Sequence, residues 1–143
     1  MPENQKIDIR EVAAGYEFPP VSYQIDSARV ADYLGAVDED NAPYRDTGLV
    51  PPVAVAALAL AALSEGMTMP PGAIHVSQEV EFLDTVSTAD TVTSQATVAR
   101  SQNRGKFHMV TVTLRVVNQG KKEVMAAKTS FILPGDVKDD EPA

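Results

Sequence analysis

One segment constrains the fold more than any other. Residues 52–65, PVAVAALALAALSE, form a helix whose apolar residues lie on almost every side. Val53, Val55, Leu58, Leu60 and Leu63 are separated mostly by alanines. A helix apolar all round is expected to be buried all round, so the rest of the chain must wrap it. The alanines allow a sheet to approach closely. Pro51 and Pro52 suit the entry and first turn, and Gly66 is a natural stop just past the last turn. The apolar run from Val50 to Leu63 is too short to cross a bilayer and reads as a core helix.

The chain beyond that helix can supply the wrapping. After the Pro70-Pro71-Gly72 turn the apolar period changes from 3.6 to 2. In 73–83, Ile74, Val76, Val80 and Phe82 are expected on one face, and His75, Ser77, Glu79 and Glu81 on the other. Residues 91–100 and 106–117 read as two further strands. Asn118-Gln119-Gly120-Lys121 reads as a hairpin turn, and 123–133 as a fourth strand. Ahead of the helix, 1–26 is an irregular or extended lead-in, broken by Phe18-Pro19-Pro20, with a short strand at 21–25. Asp26 or Ser27 is the expected N-cap of a first helix with Val30, Tyr33, Leu34 and Val37 on one face. Helices before a run of hairpin-linked strands predict an α+β chain with an antiparallel sheet curved around the 52–65 helix. Residues 1–133 are expected to form one domain and the acidic end, 134–143, a disordered tail.

Composition narrows the function classes. The formal net charge of −8 argues against a nucleic-acid partner, which needs a basic face. The chain has no cysteine, which excludes disulfides and thiolate chemistry and fits a cytoplasmic location. Residues 1–12 are polar, with no signal-peptide character. No histidine pair stands at metal-ligand spacing and no glycine-rich phosphate loop occurs, so neither a metal nor another cofactor is expected.

Three stretches carry a resemblance. DEDNAPYRD, from Asp38 to Asp46, is similar to a D-x-N-P-x-H-x-D motif. The double proline with its alanine-rich helix comes next. AIHVSQEVEFLDTVSTADTVT, from Ala73 to Thr93, is similar to a strand leading into a V-x-x-G-D-T turn. In this order they resemble the MaoC-like dehydratase/hydratase family, over roughly 45–133. The resemblance implies a hot-dog fold, an acyl thioester of CoA or acyl carrier protein as substrate, and water added or removed across the C2–C3 double bond. It also implies a dimer, or a double domain that mimics one. The motif's Asp and His would act on the water, and the helix N-terminus would polarise the thioester carbonyl.

The chain departs from that pattern in four places. Aligned on Asp46, Tyr44 occupies the histidine position. The aspartate position falls on Glu39, with Asp40 one residue displaced. Pro43 is one residue off the usual proline, and Ala89 replaces the turn glycine. A tyrosine is a poor base at neutral pH but can donate a hydrogen bond to a thioester oxygen. The resemblance therefore implies Asp40 (or Glu39) and Tyr44 as the catalytic candidates, and Asn41, Pro52, Val53 and His75 as substrate-binding candidates. Each has a plainer reading. Asp40 and Asn41 are common turn formers, Tyr44 can pack under its loop, and His75 can be an ordinary half-exposed strand residue. His108, in phase with Val110 and Val112, is expected at a sheet end. Arg100, Arg104, Lys106, Lys121 and Lys122 either meet CoA phosphates or an acidic carrier protein, or simply solubilise loops.

Three functions are compatible with these residues. The chain is a hydratase or dehydratase of acyl thioesters, either as a variant enzyme or as the non-catalytic partner of a motif-bearing MaoC-like subunit, in a homodimer or a heteromer. It is a hot-dog thioesterase, although Glu65, the only carboxylate of the helix, stands at its wrong end. Or it is a non-catalytic acyl- or polyketide-binding or scaffolding domain.

Overall fold

The computed structural model describes residues 6–36 and 48–134. The strands are β1 (Ile7–Asp8), β2 (Val21–Gln24), β3 (Met67–Thr68), β4 (Ile74–Phe82), β5 (Thr91–Arg104), β6 (Phe107–Val117) and β7 (Glu123–Pro134). The helices are α1 (Ser27–Ala36) and α2 (Pro52–Ser64), and a 3₁₀ turn spans Ile9–Glu11. β2, β5, β6, β7 and β4 form, in that spatial order, an antiparallel sheet. β1 and β3 make a small parallel pair beside it. The tail residues 135–143 lie outside the described residues.

The sheet's centre obeys the period-2 pattern. Val92, Ala96 and Val98 of β5, Val110, Val112, Leu114 and Val116 of β6, and Met125, Ala127, Phe131 and Leu133 of β7 are all buried. α2 lays Ala54, Val55, Ala56, Ala59 and Leu63 into the same core. Asp26 caps α1, its Oδ1 accepting the Arg29 amide at 2.9 Å. At the β6–β7 turn, Asn118 Oδ1 accepts the Gly120 and Lys122 amides. The left-handed position there is Lys121 (φ 67°), not the glycine beside it.

Four expectations need correction. First, α2 is not buried on every side. Val53 is 58% exposed, and Ala57 and Ala61, one and two turns further on, are exposed too. The sheet covers one side of the helix within the described residues. Second, β5 runs to Arg104 rather than ending at 100. A bulge between Val98 and Arg100 shifts its phase, and Gly105 (φ 65°) closes a two-residue turn into β6. Third, a bulge between His75 and Ser77 shifts the phase of β4. His75 pairs with Phe131, Gln78 with Thr129, Val80 with Ala127 and Phe82 with Met125. His75 therefore shares the helix-side face with Val80 and Phe82, while Ile74 joins Ser77, Glu79 and Glu81 on the other. Fourth, the lead-in contributes β1, which pairs with β3 just after α2, and two-residue strands leave no periodicity to predict.

Candidate functional site: the cavity at the start of α2

The chain enters α2 through a clamped segment. The Val50 amide donates to Val86 O at 2.8 Å, the Thr88 amide donates to Gly48 O at 2.7 Å, and Leu49 bridges to Ser87. Pro51 is the N-cap residue, in extended backbone (φ −58°, ψ 135°), and no side chain caps the helix. Its carbonyl accepts the amides of Ala54 (2.9 Å) and Val55 (3.3 Å). A helix normally opens with four amides that lack an intrahelical acceptor. Here Pro52 has no N–H, and Ala54 and Val55 turn back onto Pro51. The Val53 amide is the one in this first turn with no acceptor inside the helix. The positive end of the dipole is thus presented largely through a single donor.

A cavity of about 430 Å³ lies at this helix end. Pro52 and Val55 of α2 face Phe82, Leu83 and Val124 across it, with Asp84 and Thr85 as its polar side chains. Asp84 Oδ2 meets Lys122 Nζ at 2.8 Å, and Asp84 Oδ1 accepts the Thr85 amide at 2.8 Å. The hydrogen bond from Lys122 holds the Asp84 carboxyl below its usual range and, reciprocally, raises the Lys122 ammonium. Asp84 is therefore a charged acceptor at neutral pH and a weak base. The turn after it needs no glycine. The Ser87 amide donates to Asp90 Oδ2 and the Ala89 amide to Ser87 Oγ, and Ala89 is not among the residues with positive φ.

The structure separates the candidates picked from sequence. Glu39, Asp40, Asn41 and Tyr44 lie outside the described residues. Pro52 lines the cavity and Val53 is next to it in the helix. His75 is elsewhere. It sits seven residues along β4 from Phe82, roughly 20 Å away at strand spacing, with Nε2 hydrogen-bonded to the buried Thr129 Oγ1. Its ring stacks obliquely on Phe131, with centroids 5.0 Å apart. The basic residues also divide. Arg100, Arg104 and Lys106 stand at the β5–β6 hairpin, and Lys121 and Lys122 at the opposite end of β6. Sequence reasoning missed Phe82, Leu83 and Asp84 as cavity residues. Their signal was a polar Asp-Thr pair directly after the apolar end of a strand.

The other end of α2 borders a second cavity of about 280 Å³, lined by Tyr16, Phe18, Glu65 and Ser94 among others. Ser94 is buried and its Oγ shares a 2.8 Å hydrogen bond with Tyr23 Oη; burial pushes the Tyr23 phenol up. Glu65 caps the C-terminal, negative end of the helix, as its sequence position predicts. Among the described residues there is no group of three or more histidines or carboxylates that could hold a metal, and no helix long and apolar enough to cross a membrane.

A helix packed on a curved five-stranded antiparallel sheet, with a cavity at the helix start, defines a hot-dog protein. Solved structures share that fold. The R-hydratase PhaJ1 from Pseudomonas aeruginosa is 18% identical and superposes with a TM-score of 0.77, over 92% of this chain and 88% of that one. The (R)-hydratase from A. caviae involved in PHA biosynthesis is 21% identical, with a TM-score of 0.67, over 87% and 99%. The HadBC complex, a 3R-hydroxyacyl-ACP dehydratase from Mycobacterium tuberculosis, is 18% identical, with a TM-score of 0.70, over 86% and 98%. No curated protein matches in sequence. A family model described as FAS1-like, dehydratase domain region matches residues 12–127, and the chain belongs to that family.

Proposed function

We propose that the chain is an acyl-thioester-binding subunit of a hydratase or dehydratase, and that a motif-bearing hot-dog partner supplies the acid/base chemistry. The observation that carries this reading is the cavity at the start of α2. It sets apolar walls beside the positive end of a helix dipole, which suits an acyl chain and its thioester carbonyl. Its described lining contains no histidine, and its one carboxylate is tied to Lys122. Lys121 and Lys122, on the hairpin beside Asp84, suit the phosphates of CoA or a carrier's prosthetic arm. The exposed apolar residues of β4 suit a second subunit, and HadBC supports a heteromer as a workable assembly for this fold.

The test is hydration of a 2-enoyl-CoA, monitored as loss of enoyl absorbance. The isolated chain is expected to be inactive or nearly so, and activity is expected to appear with a subunit that carries an intact D-x-N-P-x-H motif. Robust turnover by the lone chain, abolished in Asp40→Asn, overturns the partner role and leaves a variant enzyme using Asp40 and Tyr44. Thiol release from acyl-CoA without hydration points instead to a thioesterase.

A further inference from the structure

The far end of the sheet carries a second arrangement of chemically active side chains. His108 pairs across the β5–β6 hairpin with Asn103, and Val110 pairs with Ser101. His108 and Val110 share the helix-side face. The bulge between Val98 and Arg100 turns Ser101 and Asn103 onto that same face; without it both would point the other way. The three side chains then connect. Ser101 Oγ lies 2.8 Å from His108 Nε2, and His108 Nδ1 lies 2.7 Å from Asn103 Oδ1.

In the tautomer that donates Nδ1–H to the Asn103 amide oxygen, Nε2 accepts the serine hydroxyl proton. Hydroxyl, imidazole and a third group that orients the imidazole are the parts of an activated nucleophile. Ser101 and His108 are half-buried rather than sealed, so a reagent can reach them. The 3₁₀ turn brings Arg10 to the same end, where it is paired with Asp8 at 3.0 Å. Desolvation, and secondarily the Arg10 charge, pushes His108 below its ordinary range, which keeps it neutral near pH 7 as a base requires.

We infer that Ser101 is an activated nucleophile that accepts an acyl group from an activated ester or thioester, with His108 as its general base and Asn103 positioning the imidazole. Ser101 Oγ attacks the acyl carbonyl carbon as its proton passes to His108 Nε2. The new carbon–oxygen bond forms, the carbon–sulfur bond of a thioester breaks, and the departing thiolate takes the proton back from the imidazolium. The products are an acyl-serine, a free thiol and neutral His108; water then releases the acid by the same relay. This site lies nine residues along β7 from Val124 (Leu133 pairs with His108), roughly 30 Å from the α2 cavity at strand spacing. It stands or falls independently of the hydratase reading.

The test treats the whole protein with an alkyl fluorophosphonate, whose serine adduct is stable, and maps the adduct by peptide mass spectrometry. Labelling is expected at Ser101, absent in Ser101→Ala, and slowed about 100-fold in His108→Gln, the usual weight of a positioned base. Asn103→Ala is expected to slow it and Asn103→Asp to restore it, a rescue that a purely structural role would not give. No adduct at Ser101, or equal labelling in His108→Gln, overturns the proposal. A second measurement does not depend on the probe fitting. Ser101→Cys is expected to react with iodoacetamide at least about tenfold faster than Ser101→Cys/His108→Gln, because a neighbouring imidazole ionises the thiol. Equal rates also overturn it.

Discussion

β6 and β4 alternate apolar and polar residues in much the same way, yet they end in opposite environments. In β6, Val110, Val112, Leu114 and Val116 are at most 2% exposed. In β4, Ile74, Val76 and Phe82 are 59%, 48% and 43% exposed. The difference is position in the sheet and, for Ile74, the bulge that turns it to the outer face, rather than composition. β6 lies between two strands with α2 over the core, whereas among the described residues β4 is bonded only to β7 and leaves one edge open. Alternation states that a strand has an apolar face; it does not state that this chain covers it. A central strand is stabilised by its own fold, and an apolar edge strand invites a second chain.

The largest expected effect tests the β6 half of that contrast. Leu114→Ala removes a side chain that is 2% exposed and is expected to cost about 2–5 kcal/mol in urea unfolding. A cost below about 1 kcal/mol would mean that the centre of the sheet is loosely packed. Thr129→Val comes next. Thr129 is fully buried and bonds the edge-strand His75 across the sheet. Losing that link is expected to cost about 1 kcal/mol and to speed amide exchange in β4 more than in β6. Uniform exchange would show that this link does not hold the edge. Phe82→Ala is expected to cost about 1 kcal/mol or less in dilute protein, since the side chain is partly exposed and leaves little cavity. A cost matching that of Leu114→Ala, growing with protein concentration, would show that β4 is covered by another copy.

The same contrast explains what the sequence makes legible. The β6–β7 hairpin, the Asp26 cap and the proline entry to α2 depend on neighbours within a few residues, and they stand where the residues predict. The face of His75 does not. One inserted residue in β4 reverses every side chain on the near side of the bulge, and period counting has no term for an insertion. The same kind of bulge hides the Ser101–His108 contact, because the alternation predicts a strand that stops at 100. The exposure of Val53 is illegible for a different reason. Helical periodicity locates an apolar face, but an all-apolar helix has no marked face, so nothing in it says which side the sheet takes. Within the α2 cavity, the helix residues are legible because prolines and alanines mark them. Phe82, Leu83 and Asp84 are not, because only tertiary packing brings the end of β4 against the helix start.

The smallest effect separates the two polar ends of the edge region, and it turns on sign. Asp84 and Lys122 are solvent-exposed partners, so screening limits what their pairing adds to stability. In the folded chain the Asp84 carboxyl is lowered, so its contribution is complete above the ordinary carboxylate range and is lost as pH falls through the folded value. The Lys122 ammonium is raised, so its contribution is complete below the ordinary lysine range and is lost as pH rises through the folded value. The stability difference between the native chain and Lys122→Ala should therefore be a shallow plateau from about pH 5 to about pH 9, vanishing toward both extremes. Urea midpoints measured across pH, with and without 1 M salt (~3 Å screening length), check this, and salt should flatten the plateau. A difference that instead grows as pH falls would contradict the pairing at the cavity mouth. It would also reopen Asp84 as a carboxyl able to take up a proton beside the start of α2.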